Sequence, residues 1–517
     1  MAKSAARKAA AAGEVKAAAA PAAATPAAGA AAAMTMKNDA SLASDLERDA
    51  GLRWVVDGEV YDLTQFLHKH PGGADLLLWC VGRDISVPVH TYHKDPRKTV
   101  LPTLAKYKVN EKHADVVKTK LGIPHFLLPP TFTAASSIPT FDFSDSKTLM
   151  LNTARAKILQ PEVQKQIKRL DALWDATIVA LMGCYAACVY GLLFGASCWA
   201  TVLPLALLRT ALAGGGHYYV HRKKPHFGDA LFDLNYVGMA FTAQDGHVLL
   251  HHAYTQSEAD VKRGFFGGMI GIPRLLRVPV HSVHKFLHVC TGMFVRGLEV
   301  ELERDSDEAQ GVQPRIRRLH KAGVLKQSRP PMLWHFWAVH LLLFVEMATA
   351  VSTSRFLVWG AQFFVSLWFN TLLVVSSHDF TETFEPDQKD WARFQVLNTH
   401  DIYLTGSPWV DSLLSAGLAE HRAHHIFPYQ KSAFANIYST KYLKEAALEH
   451  GMEWHAHLSF FTDVLPGVVR EYLFAPVADP LARKPMYDNM WDEHTAPASY
   501  KYIAAYLFAG FAGVGSI

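Results

Sequence analysis

Two long blocks of the chain are almost free of charged side chains, and they dominate its hydrophobic pattern. Arg209 is the only charged residue in the block 176–213, and Glu346 and Arg355 are the only ones in the block 331–377. Each block is long enough for two helices of the ~20 apolar residues that cross the hydrocarbon core of a bilayer. The pattern therefore predicts four membrane-spanning helices. The alternative is a large soluble helical core.

These four helices are expected to form two hairpins, with turns near Gly195 and between Ser352 and Arg355. A hairpin returns the chain to its starting side, so all other segments would face one compartment. The segment between the hairpins is rich in basic residues, and this bias assigns that compartment to the cytosol or its organellar equivalent. The basic residues are Arg222, Lys223, Lys224, Lys262, Arg263, Arg274 and Arg277.

Three short clusters of histidines lie beside or between the apolar blocks, with the sequences HYYVH, HVLLHH and HRAHH. Positions i, i+3 and i+4 share one face of a helix, so each cluster would point its imidazoles in one direction. The clusters contain His217, His221, His247, His251, His252, His421, His424 and His425. Eight aligned imidazoles exceed the needs of one ion, so the sequence predicts a two-metal site, and iron is the favoured metal. The alternative is chance pairing among 27 histidines.

The segments Phe227–Ala243 and Phe265–Phe294 are amphipathic, and we expect them to lie along the membrane interface. His281, His284 and His288 have helical spacing there but include no adjacent pair. Because the three clusters already supply enough ligands, we do not expect these three histidines to bind the metals.

Composition limits the remaining function classes. A net charge of +4, without alternation of basic and aromatic residues, gives no indication of a nucleic-acid partner. The five cysteines form no CxxC pair, so a disulfide framework is not expected. Residues 1–40 are mostly alanine with a few basic residues, a composition that predicts disorder and that also overlaps with organellar transit peptides.

A compact segment of mixed composition follows, from about Leu46 to Asn110. Trp54–Tyr61 is expected to form a β-hairpin around an Asp-Gly turn, and the HPGG sequence presents His70 on a tight turn. His93 follows 23 residues later. Two histidines on opposing loops can bind a haem from both axial sides, which leaves no open position and favours electron transfer.

This segment resembles cytochrome b5, in which the histidine of HPGG and a second histidine about this far downstream bind haem b. His70 matches the first ligand. His90 and His93 compete for the second, and the sequence TYHKDP, which resembles b5 domains fused to desaturases, favours His93. The alternative is a turn histidine without haem.

With HPGG upstream of HYYVH, QDGHVLLHHAYT and GLAEHRAHHIFP, residues 45–475 resemble the membrane fatty acid desaturases. The closest resemblance is to the front-end branch, which carries an N-terminal b5 domain. It implies two irons, O2 as co-substrate, electrons delivered through the haem, and removal of two hydrogens from an acyl chain. The sequence SSHDFTE resembles a family segment that contributes one more ligand, so His378 is the ninth candidate.

The resemblance implies a multi-domain protein. A disordered tail (1–40) would precede a small α+β b5-like haem domain (45–112), a proline-rich linker (113–170), an all-α integral membrane domain with four transmembrane helices in two hairpins (171–475) and a C-terminal tail (476–517). The implied partners are an acyl lipid or acyl-CoA substrate, membrane lipid and an NAD(P)H-cytochrome b5 reductase. The implied location is the endoplasmic reticulum membrane, with the histidines and the haem domain in the cytosol. A plastid or other organellar membrane is the alternative.

Three departures from the family pattern leave the double-bond position open. Front-end enzymes usually have glutamine where this chain has His421, an aspartate is common where it has Tyr218, and three residues separate His247 from His251. Candidate residues to support the ligands are Asp245, Asp379, Asn398, His400 and Glu420. Rival functions are a b5-fused lipid hydroxylase, a non-catalytic membrane b5 electron carrier and a histidine-rich metal transporter.

Overall fold

The computed structural model describes residues 52–73, 77, 80–82, 84–112, 139–222, 227–237, 244–260, 268–295, 297–298, 333–376, 378, 385, 387–479 and 484–513. Several predictions concern residues outside these ranges: the tail 1–40, the proline-rich part of the linker, and Lys223, Lys224, Lys262, Arg263 and Asp379. The described residues belong to two compact units. The first comprises Met1–Val89, Pro96–Pro130 and Val300–Pro330, and the second His90–Asp95, Thr131–Glu299 and Pro331–Ile517.

The first unit contains the predicted hairpin. Strands β1 (Arg53–Val56) and β2 (Glu59–Asp62) pair antiparallel. Asp57 and Gly58 both have positive φ, at 51° and 80°, as a two-residue hairpin turn requires. A short 3-10 helix, α1 (Thr64–Lys69), then leads to His70. The helical segments Pro96–Val100, Leu101–Leu104 and Ala105–Tyr107 complete the described part of this unit, and helix α2 (Ser86–Tyr92) begins in it.

The second unit is built mainly from helices. They are α3 (Leu149–Ile158), α4 (Pro161–Phe194), α5 (Val202–Val220), the 3-10 helix α6 (Phe227–Asn235), the π-helical α7 (Gln244–His251), α8 (Arg277–Leu287), α9 (Leu333–Ser352), α10 (Phe356–Ser376), α11 (Trp391–Leu397), α12 (Pro408–Leu414), α13 (His421–Ile426), α14 (Ala433–Glu449), α15 (Met490–Thr495) and α16 (Pro497–Phe511). A two-residue parallel pairing joins β3 (Ile402–Tyr403) to β4 (Leu458–Ser459). Shorter helical turns lie at Asp145–Lys147, Cys198–Thr201, His252–Tyr254, Met269–Gly271, Arg274–Leu276, His288–Gly292, Leu418–Glu420, Phe460–Val464, Leu465–Val468 and Val469–Leu473.

Four helical segments of the described chain are long and apolar enough to cross a membrane, as the two uncharged blocks predict. They are Pro161–Phe194, Cys198–Val220, Trp334–Ser352 and Phe356–Leu373. Helix α5 packs between α4 and α10, and α9 packs on α10. Large side chains fill the space between the helices, and Trp174, Leu212, Trp359 and Leu367 are almost completely buried there.

Helix α4 is longer than a membrane crossing requires. Its 34 residues correspond to about 51 Å, whereas the hydrocarbon core of a bilayer is about 30 Å thick. The charged residues of α4 lie in its first half, where Asp171 accepts a 2.7 Å hydrogen bond from Ser432. One turn later, Asp175 accepts two hydrogen bonds from the guanidinium group of Arg222. The first half of α4 is therefore bonded to the segments that flank α5 and α14.

A buried polar network joins the four apolar helices to one another. Arg209 of α5 forms an ion pair with Glu346 of α9, and its Nε donates a 3.0 Å hydrogen bond to Gln362 of α10. Tyr185 of α4 donates its hydroxyl to the same carboxylate of Glu346. The guanidinium carbon of Arg209 also lies 4.8 Å from the ring centre of Tyr236. Charges inside an apolar bundle are expected to be paired in this way.

Candidate metal centre

The first histidine cluster and His378 lie at the C-terminal ends of apolar helices, and the other two clusters lie on short helices. His217 lies in the last turn of α5 and His221 directly follows that helix. His247 and His251 lie on α7, and His252 follows it. The third cluster occupies α13, and His378 comes two residues after α10. The C-terminal ends of α5 and α10 therefore both lead to the place where the imidazoles gather.

Four of these histidines form the first group. The ligand nitrogens of His217, His221, His247 and His424 all lie within 4.8 Å of one another. Nε2 of His247 is 2.7 Å from Nε2 of His217 and 2.9 Å from Nε2 of His221. Three chain segments thus contribute to one compact set of nitrogen atoms.

The second group contains His251, His378, His421 and His425, whose ligand nitrogens also lie within 4.8 Å of one another. All four are buried, and Nε2 of His425 is 3.1 Å from Nε2 of His421. His378 is the residue that only the family resemblance indicated. The structure brings it to 4.4 Å from His421 between ring centres.

His252 lies between the two groups. Its ring centre is 4.6 Å from that of His424 and 4.3 Å from that of His425. Its Nε2 is 3.2 Å from Nε2 of His247. All nine histidines selected from the sequence therefore gather in one place.

The hydrogen bonds on the outer side of the rings indicate which nitrogen carries the proton. Nδ1 of His217 donates to the carbonyl oxygen of Ala416 and Nδ1 of His378 to that of Asn398, each at 3.1 Å. With the proton on Nδ1, the lone pair is on Nε2, as in a metal-bound histidine. The same arrangement holds for His425, whose Nδ1 is 2.9 Å from Oε1 of Gln395.

The Nε2 atoms of neighbouring rings lie 2.7–3.2 Å apart. Nitrogens that share a metal ion at about 2.1 Å, at angles of 90–110°, are about 3.0–3.4 Å apart. The donor set, its spacing and its burial thus fit two metal ions.

The charge state of the imidazoles also suits metal binding. Burial, reinforced by repulsion between neighbouring imidazoles, lowers the pKa of seven of these histidines well below its usual value. They are His221, His247, His252, His378, His421, His424 and His425. A metal binds the neutral form of histidine, so these ligands do not have to lose a proton first at neutral pH.

Two side chains that hold the ligands were not among the residues selected from the sequence. Asp260 accepts a hydrogen bond from His251, and Gln395 accepts one from His425. Thr255 adds a further contact, since its Oγ1 lies 3.1 Å from Nδ1 of His425. No spacing rule connects these partners with the clusters. The sequence signal that could have indicated Asp260 and Thr255 is the high density of polar residues after His252, in AYTQSEAD.

The residues selected as supports have different positions. Asn398 supports His378 through its main-chain oxygen. Glu420 does not contact a candidate ligand through its carboxylate, which instead lies 3.7 Å from Nε2 of His457. The side chain of Asp245 and all of Asp379 lie outside the described part of the chain.

A third group of possible metal ligands, which contains two carboxylates, includes Glu420, the residue directly before His421. Atoms of Asp401, Glu420 and His457 that can bind a metal lie within 4.8 Å of one another. Asp401 is already engaged by Arg422, which donates its main-chain N–H at 2.9 Å and Nη1 at 3.2 Å. We interpret this group as an ion-pair network that holds α13.

The candidate haem ligands belong to different units and are described separately. In the first unit, Nδ1 of His70 donates to the carbonyl oxygen of Gly73 at 2.6 Å, which puts the lone pair on Nε2. In the second unit, His90 is buried and stacks on Phe143 at 4.4 Å. His93 is only half-buried.

Comparisons with known proteins match both parts of the chain. The family described as fatty acid desaturase matches residues 196–458, and the family described as cytochrome b5-like haem/steroid binding domain matches residues 42–112. Acyl-lipid (8-3)-desaturase B of Dictyostelium discoideum is 23% identical over 84% of this chain and 93% of its own length. Acyl-lipid (8-3)-desaturase of Mortierella alpina is 24% identical over 72% of this chain and 83% of its own length.

Two further matches cover different ranges of the chain. Acyl-lipid omega-13 desaturase of Chlamydomonas reinhardtii is 22% identical over 72% of this chain and 83% of its own length. Nitrate reductase [NADH] 1 of Zea mays is 44% identical over 57 residues, which are 11% of this chain and 9% of that protein. No solved structure matches.

Proposed function

Because the chain belongs to the fatty acid desaturase family, we propose that this oxidoreductase introduces a cis double bond into an acyl chain at two histidine-bound irons. The electrons would come from the haem of its own b5 domain. The observation that carries this proposal is the pair of four-histidine groups, with His252 between them. A non-catalytic electron carrier would need only the b5 domain.

The two groups divide the ligands between the metals. His217, His221, His247 and His424 would hold one iron, and His251, His378, His421 and His425 the other, with His252 within reach of both. When bound, the irons supply the reductive activation of O2 that an unactivated C–H bond requires. Desaturation then consumes one O2, two electrons and two protons and yields two waters.

The protein contributes orientation and charge. The carboxylate of Asp260 fixes the ring of His251, and the amide of Gln395 fixes that of His425. Soluble di-iron proteins often use carboxylate ligands, whereas nine neutral imidazoles leave the full positive charge on the metals. Burial of His251, His421 and His425 keeps bulk water away from the reacting groups.

The membrane arrangement is part of the proposal. Two hairpins, α4 with α5 and α9 with α10, would put all nine candidate metal ligands on one face of the bilayer. The contact between His217, at the end of α5, and His424 supports this arrangement, as does the contact between His378, after α10, and His421. The proposed location is the endoplasmic reticulum membrane, with the centre and the b5 domain in the cytosol. An organellar membrane is the alternative.

The proposed substrate is an acyl lipid or an acyl-CoA, with an NAD(P)H-cytochrome b5 reductase as electron donor. Two similar proteins are named acyl-lipid (8-3)-desaturases, which favours a front-end position for the new double bond. His421, which occupies a position usually held by glutamine in that branch, leaves the exact carbon open. In the b5 domain, His70 and His93 are the proposed haem ligands, with His90 as the competitor for the second position.

Expression in yeast with a panel of fatty acids tests the reaction. The expected product is two hydrogens lighter than its substrate, as shown by mass spectrometry of the methyl esters. A product heavier by one oxygen would establish the rival hydroxylase instead. The purified protein should contain two irons per chain besides haem iron, and His424→Ala and His425→Ala should each abolish the product. Activity that survives both substitutions would contradict the proposal.

A further inference from the structure

Helix α8 has its polar side chains inside the protein and its apolar side chains outside. Arg277, His281, His284 and Lys285 are all at most 1% exposed. His288, in the turn that continues the helix, is also fully buried. Among the described residues 275–295 and 297–298, the exposed side chains are all apolar: Leu275, Pro279, Val283, Val295 and Leu298. A helix lying on a protein surface in water has the opposite arrangement.

The buried polar face makes hydrogen bonds to other segments of the protein. Arg277 donates hydrogen bonds to the carbonyl oxygens of Ile270 and Tyr472, among others. His281 and His284 bond to the hydroxyl and the carbonyl oxygen of Tyr506, respectively. This face is therefore an internal contact, and only the apolar face remains to meet the surroundings.

The contacts of α8 place it beside the membrane-spanning helices at mid-height. The ring of Phe286 lies 6.0 Å from that of Phe363, which is near the middle of the span Phe356–Leu373. Further along, Sγ of Cys290 lies 3.5 Å from Sδ of Met347, inside the span Trp334–Ser352. Neighbouring helices pack at 8–10 Å, so a helix that touches these residues lies at hydrocarbon depth.

Helix α16 packs on α8 through glycines. A Cβ at Gly510 would lie 2.5 Å from the carbonyl oxygen of His284, and a Cβ at Gly292 would lie 2.1 Å from the carbonyl oxygen of Gly510. Small residues that let two backbones approach this closely are typical of helix pairs in membranes.

The outer face of α16 is apolar as well. Phe508 is 68% exposed and Phe511 is 45% exposed. From residue 502 to residue 517 the sequence contains no charged side chain. Tyr500 and Lys501, at the start of the helix, are its last exposed polar residues.

We propose that α8, with the turn His288–Gly292, and α16 form a third helical pair embedded in the bilayer beside α9 and α10. The occupant of the exposed apolar surface is then lipid hydrocarbon. The surface is continuous with side chains of the spans that need the same environment, such as Phe344 and Phe364, which are 44% and 45% exposed. This inference rests on the membrane-spanning helices and does not depend on which reaction the metal centre performs.

Spin labels at single cysteines test the environment of this surface in the full-length protein in lipid nanodiscs. The native cysteines are replaced by serine or alanine, and labels are placed through Val283→Cys and Phe508→Cys. Leu357→Cys on α10 is the lipid control and Leu448→Cys on α14 the water control, because both side chains are well exposed. The readout is the ratio of collisions with oxygen to collisions with a water-soluble nickel chelate.

Labels at 283 and 508 are expected to give ratios within about twofold of the label at 357 and several-fold above the label at 448. Ratios equal to that at 448 would show that the surface faces water and would overturn the proposal. Low collision rates with both reagents would show that protein, such as a second copy of the chain, covers it, which also overturns the proposal. Haem absorbance and iron content equal to the parent protein establish that each variant is folded, and Val295→Cys and Phe511→Cys provide second positions.

Discussion

Both carboxylate oxygens of Asp260 lie 3.0 Å from Nδ1 of His251 in a buried site. Asp260→Asn keeps the size of the side chain but removes the negative charge that orients and strengthens this ligand. We expect the substitution to lower activity and iron retention by the second histidine group about 10–100-fold. Iron analysis of the purified variant should give close to one non-haem iron per chain after dialysis.

Glu258→Gln is the matched control, because it removes an exposed carboxylate two residues away. It should retain both irons and normal activity. Equal iron loss in the two variants would mean that general negative charge, and not the contact with His251, is what matters.

Loss of one partner of the ion pair between Arg209 and Glu346 should destabilise the protein more than loss of both partners. Arg209→Met leaves the Glu346 carboxylate buried without its cation, which is expected to cost about 3–5 kcal/mol of unfolding free energy. The double variant Arg209→Met, Glu346→Met buries no charge and should recover more than half of that loss. Chemical denaturation in detergent measures both, and a double variant as unstable as the single one would contradict this account.

Gly417 is expected to tolerate no side chain. Its φ is +89°, and a Cβ there would lie 2.3 Å from the hydroxyl oxygen of Tyr218. The ring of Tyr218 lies 5.2 Å from that of His424, so its displacement disturbs the first metal group. Gly417→Ala should therefore cost stability and also reduce iron content.

Gly406→Ala is the control that separates the backbone strain of a positive φ from the steric clash with Tyr218. Gly406 has a similar φ of +85°, but a Cβ there would meet nothing within 4 Å. Its substitution should cost only the ~1–2 kcal/mol of a left-handed residue and leave the iron in place. If the two variants lost iron equally, the contact with Tyr218 would not be the cause.

His400 should make the protein less stable in acid. Burial, together with the positive charge of Arg422, lowers the pKa of His400 to about 4, compared with about 6.5 in an unfolded chain. The unfolded state therefore binds the proton first as the pH falls below 6.5, and native stability decreases until about pH 4. Between pH 7.5 and pH 5.5, the His400→Gln variant should therefore lose about 1 kcal/mol less unfolding free energy than the parent protein.

The sequence alone identified the metal-ligand candidates that occur in clusters with helical spacing. The i, i+3 and i+4 pattern in HRAHH needs no knowledge of the rest of the chain, and the uncharged blocks predicted the four apolar helices. The resemblance to b5-fused fatty acid desaturases is confirmed by the two family matches. His378 is a lone histidine, and only that resemblance selected it.

Partners that meet through the fold carried no such signal. His251 meets Asp260 across a buried turn, and Gln395 reaches His425 over thirty residues. For α8 the amphipathic period was recognisable, but periodicity does not say which face is inside. That depends on Tyr506, which belongs to a segment to which the sequence assigned no role.

In the proposed membrane arrangement, the length of α4 acts as a spacer between the bilayer and the candidate metal centre. Its charged first half extends about 20 Å beyond the hydrocarbon, and Asp171 and Asp175 bind the segments that carry the centre. Each residue of an α-helix adds 1.5 Å of rise and about 100° of rotation. One residue inserted just after Asp175 would turn both carboxylates away from Ser432 and Arg222. In the proposed arrangement, the distance of the metal centre from the lipid can therefore change only by whole helical turns.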